Sequence, residues 1–129
     1  MIVPMPWPAP PLRSNHRLGT HAKARVTRDI RHAAKLTARP IVASVGPLPG
    51  PLHARFVWVV TNRIQRDVGA STPTMKAALD GMRDAGLIPE DHWGVIAEES
   101  YRIELADTPS CRIELTPDKP APMDWSVTE

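Results

Sequence analysis

Apolar positions along the chain change period from one segment to the next, and the changes mark its elements. Between Thr20 and Thr37, Ala22, Val26, Ile30, Ala33 and Ala34 recur at helical spacing, while Lys23, Arg25, Arg28, Arg31 and Lys35 fill the other positions. The spacing predicts an amphipathic helix with a basic outer side. Two apolar runs follow, Ile41–Val45 and Arg55–Arg66, separated by Pro47, Pro49 and Pro51, and they read as an antiparallel hairpin. In the second run Phe56, Trp58, Val60 and Ile64 fall on one face and Val57 and Val59 on the other, as in a central strand covered on both sides. Thr72 followed by Pro73 starts a second helix and Gly86 after Ala85 stops it. Met75, Ala78, Leu79 and Met82 point inward there, and Lys76, Asp80 and Arg83 share another face. A loop from Leu87 to His92 presents Glu90 and Asp91. Val95–Leu105 and Cys111–Leu115 read as a closing hairpin around Asp107–Ser110.

Before the first helix, Met1–Leu12 carries five prolines and predicts extended chain beginning with a short edge strand, in which Met5 and Trp7 are buried anchors. After Pro117 the prolines and the scarcity of apolar residues predict a disordered tail. The expected architecture is an α+β domain over residues 1–116, one mixed sheet carrying two helices, followed by the tail 117–129. A length of 129 residues suits one domain. The longest uncharged apolar run, Phe56–Val60, is far short of the roughly 20 residues that cross a bilayer. A single cysteine, Cys111, excludes an internal disulfide and a thiolate zinc cluster and fits a reducing cytoplasm.

Charge divides the chain. Residues 1–66 hold eleven Lys/Arg against Asp29 alone, whereas residues 67–129 hold five against thirteen Asp/Glu, for a net +2. The division suits either an internal charge match or a basic surface for a polyanion beside an acidic cluster for a cation. No phosphate loop, dinucleotide fingerprint or nucleophile elbow occurs. The histidines His16, His21, His32, His53 and His92 lack metal-ligand spacing, and Cys111 sits in an apolar alternation as core filler.

Chemistry-bearing residues concentrate in the run from Arg66 to Trp93, RDVGASTPTMKAALDGMRDAGLIPEDHW. It resembles the signature of the RusA-like Holliday junction resolvase family: Asp, any residue, Asp, Asn, then a helix with Lys, an Asp-containing turn, a Gly and a pair of acids. The segment PPLRSNHR, with Asn15 and Arg17 ahead of the basic helix, is similar to the family's Pro-rich, Asn-containing start. The resemblance covers residues 1–116. It implies that Asp67, Lys76 and Asp91 are catalytic, that Asp67 and Asp91 hold Mg²⁺ (or Mn²⁺), and that the protein is a homodimeric endonuclease cutting four-way DNA junctions, of phage or prophage type. The second family acid falls on Gly69 and the Asn on Ala70, leaving two carboxylates where a hard cation wants three. Glu90 is the best-placed substitute, ahead of Asp80 and Asp84.

From spacing alone, a helix returning over the sheet could bring Asp67 and Asp91 to one cation that activates water, with Lys76 stabilising phosphate charge. Equally, Asp67 could end a strand, Asp91 sit in a solvated loop and Lys76 pair with Asp80 at i+4. The basic helix, through Lys23, Arg25, Arg28, Arg31 and Lys35, is expected to contact phosphates with Asn15 and Arg17, or else to balance the acidic half. Two other functions stay open. One is a relative that binds branched DNA without cutting it, which Gly69 favours; the other is an adaptor working through the Pro-rich start or Asp124 and Trp125.

Overall fold

A computed structural model describes residues 1–90 and 92–118. The elements in order are β1 (Ile2–Met5), α1 (Thr20–Val45), β2 (Leu52–Val60), a 3₁₀ turn (Val68–Ser71), α2 (Thr72–Ala85), β3 (Ile96–Leu105) and β4 (Ser110–Pro117). The four strands form one mixed sheet in the order β1-β4-β2-β3, with both helices on one face, so the α+β expectation holds. Among the described residues no helix is long and apolar enough to cross a membrane.

β2 is the centre. Leu52, Ala54, Phe56, Trp58 and Val60 face the helices and join Ile30, Ala34 and Ala38 of α1 and Met75, Ala78, Leu79 and Met82 of α2 in one core. Val57 and Val59 are buried on the other face, over which no helix or strand lies among the described residues. Their register partners Arg112, Arg102 and Glu104 lay long side chains over them, and Arg112 Nη2 bridges β4 to Glu104 Oε1 on β3 at 3.0 Å.

Three sequence expectations fail, each for a physical reason. Ile41–Val45 is no strand. α1 runs through Pro40, whose ring is exposed, because Ala38, Ile41 and Val42 continue its apolar side onto the core. It stops only at Gly46, whose φ of 74° suits glycine and whose N–H donates to the Val42 carbonyl. The β-branched residues that suggest a strand are recruited into helix by this burial. β2 ends at Val60 rather than Arg66, and Ile64 is 68% exposed. Arg66 folds the following loop on itself by donating to the carbonyls of Asn62 and Ile64 and to Asn62 Oδ1.

β3 and β4 do not pair either. β3 runs parallel to β2, and the short connection 106–109 steps across the end of β2 so that β4 pairs antiparallel on its other side. There β4 also receives β1, and its Cys111, Ile113 and Leu115 enter the core.

α2 is capped as expected. Pro73 sits in its first turn, and Gly86 (φ 85°) donates its N–H to Arg83 and Met82 carbonyls. Two helices crossing here approach unusually closely, because Gly81 of α2 lies against the backbone of Arg31 and Lys35 in α1. Arg31 fastens the same contact with two hydrogen bonds to Asp84, and this pairing holds the Asp84 carboxyl below its ordinary range. Beyond α2, Leu87 and Ile88 are fully buried, and the Leu87 carbonyl accepts from Leu48 N–H at 2.8 Å.

Candidate nucleic-acid site

The extended segment after the Pro-rich start is pinned to the beginning of α2. Buried Thr74 accepts from the Leu12 N–H at 3.1 Å and donates to the Leu12 carbonyl, while Ser14 N–H donates to Ala70 O at 3.0 Å. Arg13, between these anchors, is forced over Trp58, with its guanidinium carbon 5.5 Å from a ring centroid. Arg66 lies 5.4 Å from a Trp58 ring centroid. One nearly buried indole therefore holds two guanidinium groups by cation–π attraction and keeps them beside the start of α2.

His16 reinforces Arg13, whose N–H faces Nδ1 at 3.2 Å and whose Nε–H faces Nε2 at 3.0 Å. A neutral imidazole accepts at one nitrogen only, so one of these contacts is a hydrogen bond at a time, and a protonated ring accepts neither.

Four clefts that share lining residues adjoin across this region. One of about 630 Å³ lies along Leu18, Thr20, Lys23 and Thr27 at the start of α1. Lys23 also lines the next, about 330 Å³, with Arg13, His16, Pro73 and Lys76. Arg13 in turn lines a third of about 310 Å³ with Asn15, Trp58, Gln65, Arg66 and Asp67. Ile64 and Arg66 connect that one to a cleft of about 370 Å³ at the ends of β2 and β3. The result is a row of adjoining clefts with Lys23, Lys76, Arg13 and Arg66 along it and Asp67 as the acid in the third.

The residues expected to form the site are therefore partly gathered and partly dispersed. Asn15 and Asp67 share a cleft, and Lys23 and Lys76 share its neighbour. Asp67 is exposed and accepts the Gly69 N–H through Oδ1 at 3.2 Å. Lys76 is paired with Asp80 at 3.2 Å, the i+4 arrangement that the spacing allowed. Arg25 and Arg28 project exposed from the outer side of α1, and Arg17 is exposed ahead of it. Arg31 ties α1 to Asp84 of α2, and Lys35 is half-buried near the same carboxylate, so these two serve the helix–helix contact.

Glu90 lies at the other end of the sheet from Asp67. The chain enters α2 beside Ala70 and leaves it 14 residues later, about 20 Å away at 1.5 Å per residue. There Leu87 is bonded to Leu48, and Leu52 N–H to Val95 O, at the start of β2. Three residues past Leu87, Glu90 cannot return to Asp67, so the metal pair Asp67–Glu90 does not form within one chain. Asp91 lies outside the described residues, as do Asp124, Trp125 and the tail from 119 onward. Among the described residues no group of three or more His, Cys, Asp or Glu is placed to hold a metal ion. His92 shapes a turn, its Nδ1 accepting from Gly94 N–H and its carbonyl from Val95 and Ile96.

Sequence reasoning missed Trp58 and Thr74 as parts of the site. Trp58 reads only as an apolar strand residue, and a threonine in a helix's first turn gives no signal that it will clamp a segment 62 residues away. A scan against protein-family models finds no match for this chain, and a search of curated proteins finds none.

Proposed function

We propose that this chain is a RusA-like protein of DNA recombination and repair that engages four-way (Holliday) junctions, its groove taking the phosphates of one strand. The observation that supports this best is the row of adjoining clefts lined in turn by Lys23, Lys76, Arg13 and Arg66. Ammonium and guanidinium groups at successive positions neutralise successive phosphates and release counterions. Arg13 and Arg66 are held by Trp58 before any ligand arrives, which lowers the ordering cost of each phosphate contact. Asn15 and Gln65, in the same cleft as Asp67, carry amides that can bond sugar or base edges. Two such grooves in a homodimer would match the two-fold symmetry of a junction.

Mg²⁺ chemistry does not fit the described residues of a single chain. Such a cation wants several oxygen ligands, and here Asp67 stands apart from Glu90 with Gly69 where a further acid would be. What the described residues of one chain supply is a set of cations for junction binding and, in the cleft with Arg13 and Arg66, the single carboxylate of Asp67. Junction cleavage has one observation in its favour: Asp67 and Lys76 open onto adjoining clefts on either side of Arg13.

Anisotropy titration of a labelled four-way junction against a duplex of the same sequence, followed by incubation with Mg²⁺ or Mn²⁺, tests both. Tight junction binding with intact strands supports the binding reading, and paired nicks in opposed strands support the resolvase reading. Equal, weak affinity for both DNAs would overturn them together.

A further inference from the structure

The cleft of about 330 Å³ between the segment after the Pro-rich start, α1 and α2 has an unusual lining. Its polar side chains are Arg13, His16, Lys23 and Lys76 with the hydroxyls of Ser14 and Thr72, and among the described residues no carboxylate lines it. Lys76 is paired with Asp80 at 3.2 Å, whereas the Lys23 ammonium has no hydrogen-bond or ion-pair partner among the described residues. Arg13 spends Nε on His16 and lays its guanidinium over Trp58, and its two Nη groups are likewise without a partner among the described residues. Unspent N–H donors on cations, with no acid beside them, select an anion as the ligand.

His16 makes this more than a basic patch. Its two ring nitrogens face the Arg13 backbone N–H and the Arg13 Nε–H, at 3.2 and 3.0 Å, and only a neutral ring accepts from either. Protonation turns both nitrogens into donors, so the ring lets go of Arg13 and gains two N–H groups for an anion, while Arg13 regains its Nε–H. The charged groups around the ring are Arg13 and the exposed Arg17 on its own segment, Lys23 of α1, Lys76 of α2 with Asp80 behind it, and Asp67 in the next cleft beyond Arg13. The other histidines are placed differently. His21 and His32 are exposed on the outer side of α1, His53 is bonded to Ser100 Oγ at 2.7 Å, and His92 Nδ1 accepts from Gly94 N–H. We infer that this cleft seats one phosphate of a nucleic-acid backbone and that His16 takes up a proton from solvent as the phosphate enters, exchanging its contacts with Arg13 for an N–H donated to a phosphate oxygen. The identity of the anion rests on the nucleic-acid reading proposed above; the seat itself rests on the lining and on the His16–Arg13 contacts.

Sulfate tests the seat without DNA, because its charge is constant over the range in which imidazole titrates, about pH 5–8, and any pH dependence of its binding belongs to the protein. Histidine ring-proton NMR of the full chain, titrated with sodium sulfate at an ionic strength held constant with chloride, should show the His16 resonances moving saturably toward the imidazolium position while those of His21, His32, His53 and His92 move less. The half-saturating sulfate concentration should fall about tenfold between about pH 8 and about pH 6, as one proton linked to one anion requires. His16→Gln assigns the resonances and should bind sulfate without that pH dependence. Lys23→Ala, at an exposed position, should raise the half-saturating concentration about tenfold and leave the fold intact. His16 resonances that respond to sulfate no more than to chloride, or a pH dependence that persists in His16→Gln, overturn the proposal. Anisotropy of a labelled four-way junction with the same proteins separates the two readings. Sulfate binding at His16 without junction affinity supports the seat and overturns nucleic acid as its ligand, whereas junction affinity with His16 unmoved by sulfate supports the nucleic-acid reading and overturns the seat.

Discussion

Gly81→Ala tests the contact on which the groove depends, and its sign is the informative quantity. In a solvent-exposed helix interior this change stabilises by about 1 kcal/mol, since alanine loses less backbone entropy. At Gly81 the new methyl would overlap the Arg31 carbonyl oxygen and lie 2.8 Å from Ala34 Cβ and 3.0 Å from Lys35 N. Carbon–carbon contacts are comfortable near 3.5–4 Å, so α1 and α2 would have to separate by most of an ångström. Two of the three obstructing atoms are backbone, and Ala34 and Ala38 are fully buried, so no rotamer change can absorb the overlap.

Overpacking of this kind costs about 1–3 kcal/mol, occasionally more, and the upper part of that range applies to backbone obstruction. After the propensity gain, a net loss of about 1–3 kcal/mol is expected. With an unfolding entropy near 2.1 cal/mol/K per residue, that lowers Tm by roughly 4–11 °C. Because Lys23 of α1 and Lys76 of α2 line one cleft, junction affinity should fall as well. Thermal and urea unfolding read the first effect and anisotropy the second. Gly69→Ala is the control, since its Cβ would meet only Asp67 Oδ1 at 3.9 Å. A Gly81→Ala protein that melts several degrees higher than the parent would refute the close crossing and the groove built on it.

Replacing Arg13, Lys23 and Lys76 together with Ala should flatten the plot of log K against log salt by about two to three units, whereas Arg25→Ala with Arg28→Ala should change it less. Gly69→Asp should fold normally, because Gly69 has no positive φ and open space around its Cβ, and it should add Mn²⁺-dependent thermal stabilisation; Ala70→Asn, at a buried position, should cost stability instead. Arg31→Ala should cost no more than about 1 kcal/mol at neutral pH, since the pair with Asp84 is largely exposed. Asp84 is depressed below 3.8 by Arg31, so its contribution is present above that value and lost as pH falls through the folded pKa; the parent and variant should converge in acid unfolding below about pH 4. Burial pushes the Cys111 thiol up to about 12, so a thiol reagent should label it only at the rate of unfolding.

Local signals located what local physics controls. Thr72, Pro73 and Gly86 bound α2 as read, because a proline-compatible first turn and a left-handed stop are properties of a few adjacent residues. The inward set Met75, Ala78, Leu79 and Met82 followed from period alone. Ile41–Val45 misled because β-branched residues after a proline look like a strand, while their burial against the core decides for helix. Strand order was not legible: the connection 106–109 is as short as a hairpin's, and only the room at the end of β2 lets it cross to the far side. Asn15, Lys23, Lys76 and Asp67 were legible as candidates and lie on adjoining clefts, but the indole that organises two arginines beside them was hidden in an apolar run.

A helix that follows a strand and packs back on its sheet runs antiparallel to it, so residues at its two ends lie at the two ends of the sheet. Asp67 and Glu90 flank such a helix, and its 14 residues fix their separation regardless of side-chain rotamer. These two acids therefore cannot share one cation within a chain. Cations follow a different rule. Lys23, Arg13 and Lys76 come from three segments, yet all meet at the start of α2, because Thr74 pins the Leu12 segment there and Gly81 lets α1 approach. The basic surface is thus built by one chain around a single helix start. If the proposed junction binding rests on these cations, it should therefore persist on dilution of the chain.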